Sequence, residues 1–400
     1  MYTGKLFDSF SFLQDERQEG KVLHKLIDIL FIVISAVICG CNDWKEIHMW
    51  ASAEMNIVWL KKYIKLENGV PSLSTIGRVF NTLDTKHFEK CFSIWMSSVI
   101  DLNDNDLVPI DGKSSRGSQE KIKNKKAIHV VSALCNSKHL VLGQVKTDEK
   151  SNEITAIPEL LDMLYIKNCI VTIDAMGAQK KIADKIVNEN KADYVLALKG
   201  NQETLEKEVK EYYEDLEKTK VIRQSQVKNH LDLHKTNIGN ASLGMLKTIE
   251  KGHGRIEKRT YYYSTDIEWM INAKTDWTKL TGIGMIKREI EYIGTDKTTE
   301  ESSFYFGSIK EVEDFARAVR NHWRIESMHW NLDVTFRDDE NRSRKGNIAA
   351  NLALLKRIAF NSVKNDTKKY PKQSMKGKRF IALMDANYRD FLLDLNFKER

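Results

Sequence analysis

The sequence predicts a mixed α/β (α+β) chain: a mixed sheet with flanking helices, a β-rich insertion, and an all-α N-terminal domain. Three observations carry this prediction. Apolar residues recur at helical spacing through the first hundred positions, short β-branched runs then alternate with amphipathic stretches, and a group of strand-like runs interrupts that alternation before helical periodicity returns. The 400 residues exceed what one core usually serves. The expected division is an all-α domain at 1–100, a core in two parts at 101–219 and 309–365, an insertion at 220–308 between them, and a basic C-terminal tail at 366–400.

In the first domain, Leu23, Leu26, Ile27, Leu30 and Ile34 fall on one helical face, and "SLSTIGRVFNTL" after Pro71 reads as a capped helix start. A helix-turn-helix with Arg78 on its second helix is one reading of this region, and a plain capped helix is the other. The most apolar stretch, Leu26 to Cys41, contains Asp28 and falls short of the roughly 20 residues that span a bilayer, so a buried helix is expected and no membrane partner. It also begins too far along the chain, behind too acidic a segment, to read as a secretory signal.

From Leu107 the period changes. "DLVPIDGK", "AIHVVSAL" and "HLVLGQVK" read as strands, "EITAIPELLDML" as a helix, "CIVTID" as a strand, "AQKKIADKIVNEN" as a helix, "DYVLALK" as a strand and "NQETLEKEVKEYYEDL" as a helix. Within the insertion, "GRIEKRTYYYST", "LTGIGMIKREIEYI" and "SSFYFGS" read as strands. A long uninterrupted helix is then expected from Ile309 through Val334, followed by another at "NIAANLALLKRIAFNSVK".

The formal charge of +7 is modest, but its cations are clustered. "KSSRGSQEKIKNKK" holds six Lys/Arg against one Glu, and "KNDTKKYPKQSMKGKR" seven against one Asp, so either segment could face phosphates or form a solvated surface. The five cysteines form no CxxC pair, which removes a zinc ribbon and a disulfide framework and suits a reducing cytoplasm.

Asp111 and Asp174 each end an apolar strand beside a glycine or a glycine-containing turn. If the first and fourth strands are neighbours, the two carboxylates lie side by side, an arrangement that favours a cation with hard oxygen ligands between them. A helix N-cap or turn former is the alternative for either residue alone. Glu326 is the expected third acid. It belongs to a polar stripe, His322, Glu326, His329 and Asp333, which could also be read as a zinc or di-metal site or as an interfacial face with buried histidines. Trp323 and Trp330 flank Glu326 and are expected to hold its helix against the sheet. Trp323 is read as core, with stacking on an extruded base as the alternative. Asp338 and Asp339, in "RDDENRSR", read as solvated.

"DGKSSRGS", "KSNEITAIPELL", "TIDAMGAQKKIADKIV", "DYVLALKGNQETL", "HGRIEKR" and "RNHWRIESMHWNLDVTFRDDE" together resemble the DDE transposases of bacterial insertion sequences, specifically the group of H-repeat-associated proteins. "DERQEGKVLHKLIDILFIVISAVICGCNDWKEI" and "PSLSTIGRVFNTLD" look like that group's associated N-terminal domain. The resemblance covers residues 12 to about 360. It implies an RNase H-like core whose catalytic and metal-binding acids are Asp111, Asp174 and Glu326, holding Mg²⁺ or Mn²⁺, two ions in all. It also implies metal-assisted cleavage at an element's ends and transfer of the freed 3′-OH into target DNA.

The implied partners are double-stranded DNA, both terminal inverted repeats and target, and a second copy of the chain on paired ends. The implied location is cytoplasmic, on the nucleoid when DNA-bound. DNA contacts are expected from Lys113, Arg116, Lys121 and Lys123 in the basic loop, from Arg255 in "HGRIEKR", and from Arg320, Arg324 and Arg337. Related transposases with such insertions often carry Tyr, Arg and Lys at seven before, four before and seven after the Glu, where this chain has Val319, His322 and Asp333. Ser74 likewise stands where the group's pattern would have Asp. A metal-dependent nuclease without strand transfer, and a catalytically idle DNA-binding relative, are the alternative functions.

Overall fold

The computed structural model describes residues 5–119, 127–147, 152–218, 231–238, 241–252 and 254–397. The helices of the N-terminal region are α1 (Lys5–Phe10), α2 (Leu26–Ile38), α3 (Trp44–Ser52), α4 (Glu54–Leu60), α5 (Leu73–Thr82) and α6 (Thr85–Val99). Next come β1 (Leu107–Ser115), β2 (Ile128–Cys135), β3 (Leu140–Lys146), α7 (Glu153–Asp162), β4 (Ile170–Ile173), α8 (Lys180–Asn188), β5 (Asp193–Leu198) and α9 (Glu203–Lys218). Five strands follow, β6 (Leu231–Ile238), β7 (Ala241–Gly252), β8 (Arg255–Ser264), β9 (Gly282–Tyr292) and β10 (Thr298–Gly307), with α10 (Ile271–Asp276) between β8 and β9. The chain ends with α11 (Val312–His322), α12 (Arg324–Val334), α13 (Ile348–Lys364), α14 (Met375–Met384) and α15 (Ala386–Phe397). No helix among the described residues is long and apolar enough to cross a membrane.

The chain divides into two compact units. One comprises residues 1–102, 111–165 and 324–400, the other 103–110 and 166–323, so β1 contributes its second half to the first and its first half to the second.

In the first unit the strands run in the order β3-β2-β1, with β2 and β3 antiparallel. The helix starts are capped as their sequences require: Asp43 accepts from the Glu46 amide, Ser72 from Thr75 and Asp84 from His87. Helix α2 begins at Leu26, which leaves Leu23 outside it and exposed. The deepest helix is α13, buried on nearly every side. Its polar residues survive burial by bonding backbone: Asn351 Nδ2 donates to the carbonyls of Phe80 and Leu83, and the Asn361 amide both donates to and accepts from Val141. Residues 366–397, expected as a tail, instead contribute α14 and α15 to this unit.

In the second unit β1, β4 and β5 are parallel, β10 lies antiparallel to β5, and β9, β8, β7 and β6 continue the antiparallel sheet outward. The strands read as an insertion therefore extend the sheet of the core, and β6 and β7 belong to it although their sequences gave little strand signal. Three consecutive tyrosines on β8 show how both faces are covered. Tyr261 and Tyr263 meet Phe315 of α11, while Tyr262 meets Tyr213 of α9, because alternate residues of a strand face opposite sides. The orders β3-β2-β1 and β1-β4-β5, with helices on the sheet and a helical N-terminal region, match the expected RNase H-like class.

Glu89 of α6 is almost wholly buried, and its Oε1 accepts from Gln144 Nε2 at 3.2 Å and the Lys146 amide at 3.0 Å. Burial pushes its carboxyl up to about 8 against the opposing pull of these donors. The folded state therefore keeps a proton that the unfolded chain releases near the ordinary value of 4.5, and stability from this group falls as pH rises from that value through about 8. Glu89→Gln keeps the acceptor oxygen and removes the titration. Urea unfolding should find the variant gaining stability relative to the parent between pH 5 and pH 9; parallel pH profiles would contradict this origin.

Candidate functional site

The parallel ladder of β1 and β4 ends at the pair Ile110↔Ile173. Asp111 and Asp174 are each the next residue after that last pair, Asp174 just past the end of β4 and Asp111 within β1, which runs on to Ser115, so the strand end expected at Asp111 is corrected. Asp174 also serves the turn: its Oδ1 accepts from the amides of Met176 at 3.1 Å and Gly177 at 3.3 Å. The capping role and the strand-end role thus coincide in one residue.

In the unit that contains Asp111, the second half of β1 is enclosed by α12 and the turn after it. His329 Nδ1 lies 3.5 Å from Asp111 Oδ2. Burial first, then the cations of Arg357 and Lys113, push His329 down to about 3, so a neutral imidazole faces the carboxylate, and among the described residues its buried Nε2 has no hydrogen-bond partner. Lys113 is itself buried, its Nζ 2.5 Å from Asp333 and 3.3 Å from Asp339. Asp339 also accepts the Arg116 amide at 3.0 Å. Burial pushes Asp333 up, with Lys113 pulling the other way.

Asp338 is fully buried and carries two cations of α13, Lys356 at 3.5 Å and Arg357 at 3.9 Å, together with the Ser115 hydroxyl at 3.3 Å. Burial opposes its ionisation, but Lys356 and Arg357 prevail and hold it below the usual carboxylate range. The expectation of a solvated "RDDENRSR" is therefore corrected at Asp338, which is buried against α13, while Asp339 is partly exposed and Arg337, Glu340, Arg342 and Arg344 are exposed. Sequence reasoning also missed His129 and Glu153. His129 Nε2 is 2.7 Å from Glu153 Oε1 and its Nδ1 is 2.8 Å from Ser114 Oγ. A Cβ at residue 112 would overlap both the Glu153 carboxyl and the His129 ring, which is why Gly112 follows Asp111. "KSNEITAIPELL" contained Glu153, but the helix signal of that segment masked it.

Glu326 lies in the first turn of α12, exposed, and among the described residues it makes no side-chain hydrogen bond or ion pair. Partial burial raises its carboxyl. The uninterrupted helix expected from Ile309 is corrected: α11 stops at His322, Trp323 forms the break, and α12 starts at Arg324. Trp323 and Trp330 are 57% and 60% exposed, so neither is core and neither clamps a helix to the sheet. The four-residue polar stripe is broken with the helix. His322 stays on α11, bonded to Thr172 Oγ1 at 2.8 Å and pushed down to about 4 by burial.

Four of the other candidate cations have protein partners. Arg320 meets Glu250 at 3.0 Å, Arg255 meets Glu257 at 3.7 Å, Arg337 pairs with Glu340 and lies 3.7 Å from Glu46, and Arg324 reaches the Asn136 carbonyl and His139. Arg116 has an exposed side chain. Lys121, Lys123 and His253 lie outside the described residues. Among the described residues no three His, Cys, Asp or Glu side chains form a group that could hold a metal ion.

A "Transposase DDE domain" family model matches residues 102–362, and a "DDE_Tnp_1-associated" model matches residues 7–96. The chain belongs to the DDE transposase family. Its relatives within that family include "Putative transposase YncI" of Escherichia coli O157:H7, 41% identical over 90% of this chain and 87% of its own length. Another is "H repeat-associated putative transposase YhhI" of Escherichia coli K12, 38% identical over 96% of both chains. The transposase match covers Asp111, Asp174 and Glu326, and the associated match covers the helical N-terminal region.

In this transposase-family chain the buried cluster at Asp338 sets the frame around Asp111. Asp338→Ala leaves two cations of α13 uncompensated and should cost about 3–5 kcal/mol in urea unfolding. Asp339→Ala, whose Lys113 partner keeps Asp333, should cost clearly less. Equal losses would show that the cluster has no special weight.

Proposed function

We propose that this protein is a DNA transposase that cleaves phosphodiester bonds at the ends of its element and joins the freed 3′-OH to target DNA. Asp111, Asp174 and Glu326 are its catalytic acids. The observation that supports this most is the register: two acids stand one position beyond the last pair of a parallel ladder, in a chain of the DDE family. The donor chemistry fits Mg²⁺ or Mn²⁺, since these residues offer hard carboxylate oxygens and no thiolate. Two such ions bound by the three acids would activate water and then the 3′-OH, and would neutralise charge on the phosphate.

The protein's own part is to position these carboxylates. His329 backs Asp111 as a neutral ring, which blocks water on that side without adding charge. Asp333, the nearest competitor for the third position, is engaged by Lys113, while Glu326 is exposed and has the longer side chain. These facts favour Glu326 as the third acid. DNA contacts are assigned to Lys113, Arg116, Lys121, Lys123, Arg255, Arg320, Arg324 and Arg337, and the active form to a homodimer that holds paired ends.

Asp111→Asn, Asp174→Asn and Glu326→Gln should each abolish nicking of DNA carrying the element's flanking repeats in Mg²⁺, while end binding is retained. Nicking in chelator, or restored by Zn²⁺ alone, would count against the metal assignment. A Glu326→Gln variant that still cuts beside an inactive Asp333→Asn would move the third acid to Asp333. Nicking without strand transfer would leave a nuclease, the alternative reading.

A further inference from the structure

Beyond α13 the chain makes a tight loop that the residues of the proposed active site do not use, and that lies past both family matches, which end at 96 and 362. Its centre is Asp366, buried to 1% exposure. Oδ1 accepts the amides of Lys368 at 3.1 Å and Lys369 at 2.8 Å, and Oδ2 accepts the Tyr370 amide at 3.1 Å and the Tyr388 hydroxyl at 2.7 Å. Lys378 adds an ion pair at 3.8 Å and donates to the Asp366 carbonyl. Burial disfavours this carboxylate, but the Tyr388 hydroxyl, the two lysine amides and Lys378 hold it below its ordinary range. The loop is built around one ionised side chain whose charge Lys378 matches.

What the loop displays is cationic. Lys364, Lys368, Lys369, Lys372 and Lys376 are all exposed, and none is in an ion pair among the described residues. Lys369 is steadied from below by the rings of Tyr388 and Phe391, 5.6 and 5.4 Å from its Nζ. Helix α14 starts within the same segment, capped by Ser374 on the Gly377 amide, so its positive end adds to the field. A solvated lysine run needs no such scaffold. Arg255, Arg259, Arg288 and Arg320 by contrast meet Glu250 or Glu257, whereas the acid of this loop, Asp366, is buried and already matched by Lys378.

We propose that the loop from Lys364 to Lys376 is a docking surface for the phosphate backbone of duplex DNA, sequence-independent and separate from the acids that cut. Lysine ammonium groups on a fixed backbone suit this partner because each can displace a condensed counterion without reading a base. The inference rests on the proposed reading of the protein as a DNA-acting enzyme, and extends it to the segment that grips DNA irrespective of sequence.

The test uses the full chain with Lys368, Lys372 and Lys376 replaced by Gln, which leaves the Lys369 ring contacts and the Asp366 anchor intact. Binding of a fluorescein-labelled duplex of arbitrary sequence is followed by anisotropy from 50 to 200 mM KCl. The slope of log affinity against log salt should fall by about 0.9 for each lost phosphate contact, and affinity should drop at least tenfold at the lower salt. An unchanged slope and affinity in a folded variant would overturn the proposal, as would a loss seen with heparin but not with duplex. A second variant, Lys364→Gln with Lys372→Gln, should show the smaller loss of two contacts. Mg²⁺-dependent nicking at saturating DNA should be kept in both. Absence of nicking in the parent would instead fail the enzymatic reading while leaving the salt slopes interpretable.

Discussion

Two cations on a buried helix set the terms for the unit that carries Asp111 and Glu326. Lys356 and Arg357 stand on α13 at 0% and 1% side-chain exposure, where unpaired charge would cost several kcal/mol each. Asp338 answers both, and Ser115 and Ser132 complete the shell by bonding Asp338 and Arg357. The cluster therefore ties together the end of β1, the middle of β2, helix α13 and the turn after α12. Lys356 also donates to the carbonyl of Arg337, a non-glycine residue held in the left-handed region at φ 51°. With that turn pinned, the seven-residue reach from Glu326 to Asp333 has a fixed end. Apolar residues of like volume are often as stable as a buried ion cluster, so its bonds between these four elements, rather than net stability, are what distinguish it.

The parts of this arrangement that sequence revealed are those set by local period. Strands β1 to β5 and helices α7 to α9 follow directly from alternation and amphipathicity, and so does the placing of Asp174 just past β4, although β1 continues beyond Asp111. What escaped detection was decided by partners far along the chain. Asp338 looks like any surface acid until Lys356 and Arg357 are brought to it, and Glu153 looks like a helix-start residue until His129 faces it across the β1 backbone. The break at Trp323 left no periodic signature either, because a one-residue interruption lets the apolar pattern continue on both sides. The exposed Trp323 and Trp330 mislead for a related reason: hydrophobicity predicts burial only on average, and a helix in two short pieces presents faces that a continuous one would hide.

The C-terminal segment erred in the opposite direction. Its lysines allowed either a solvated or a phosphate-facing basic tail, and Asp366 alone supplies acceptors for three successive amides and so makes the run a built loop. One carboxylate outweighed seven cations because hydrogen bonds to backbone, not net charge, determine whether a loop is ordered.

The same contrast separates two kinds of cation in this molecule. Lys113 is buried against Asp333, and Arg255, Arg320 and Arg337 are each matched to a carboxylate, so on the proposed reading a phosphate that approaches these arginines must displace Glu257, Glu250 or Glu340 and leave it to be resolvated. The gain from such an exchange is the difference between two ion pairs, which is small for exposed pairs and sensitive to geometry. Cations arranged this way discriminate: they yield only to a phosphate placed well enough to outcompete the carboxylate. The lysines of the loop after α13 have no ion-pair partner among the described residues to lose, so on the proposed reading they would contribute the counterion-release term to a bound duplex. On the proposed reading a phosphate must therefore displace a carboxylate at the paired cations, whereas at the lysines of this loop it displaces only counterions.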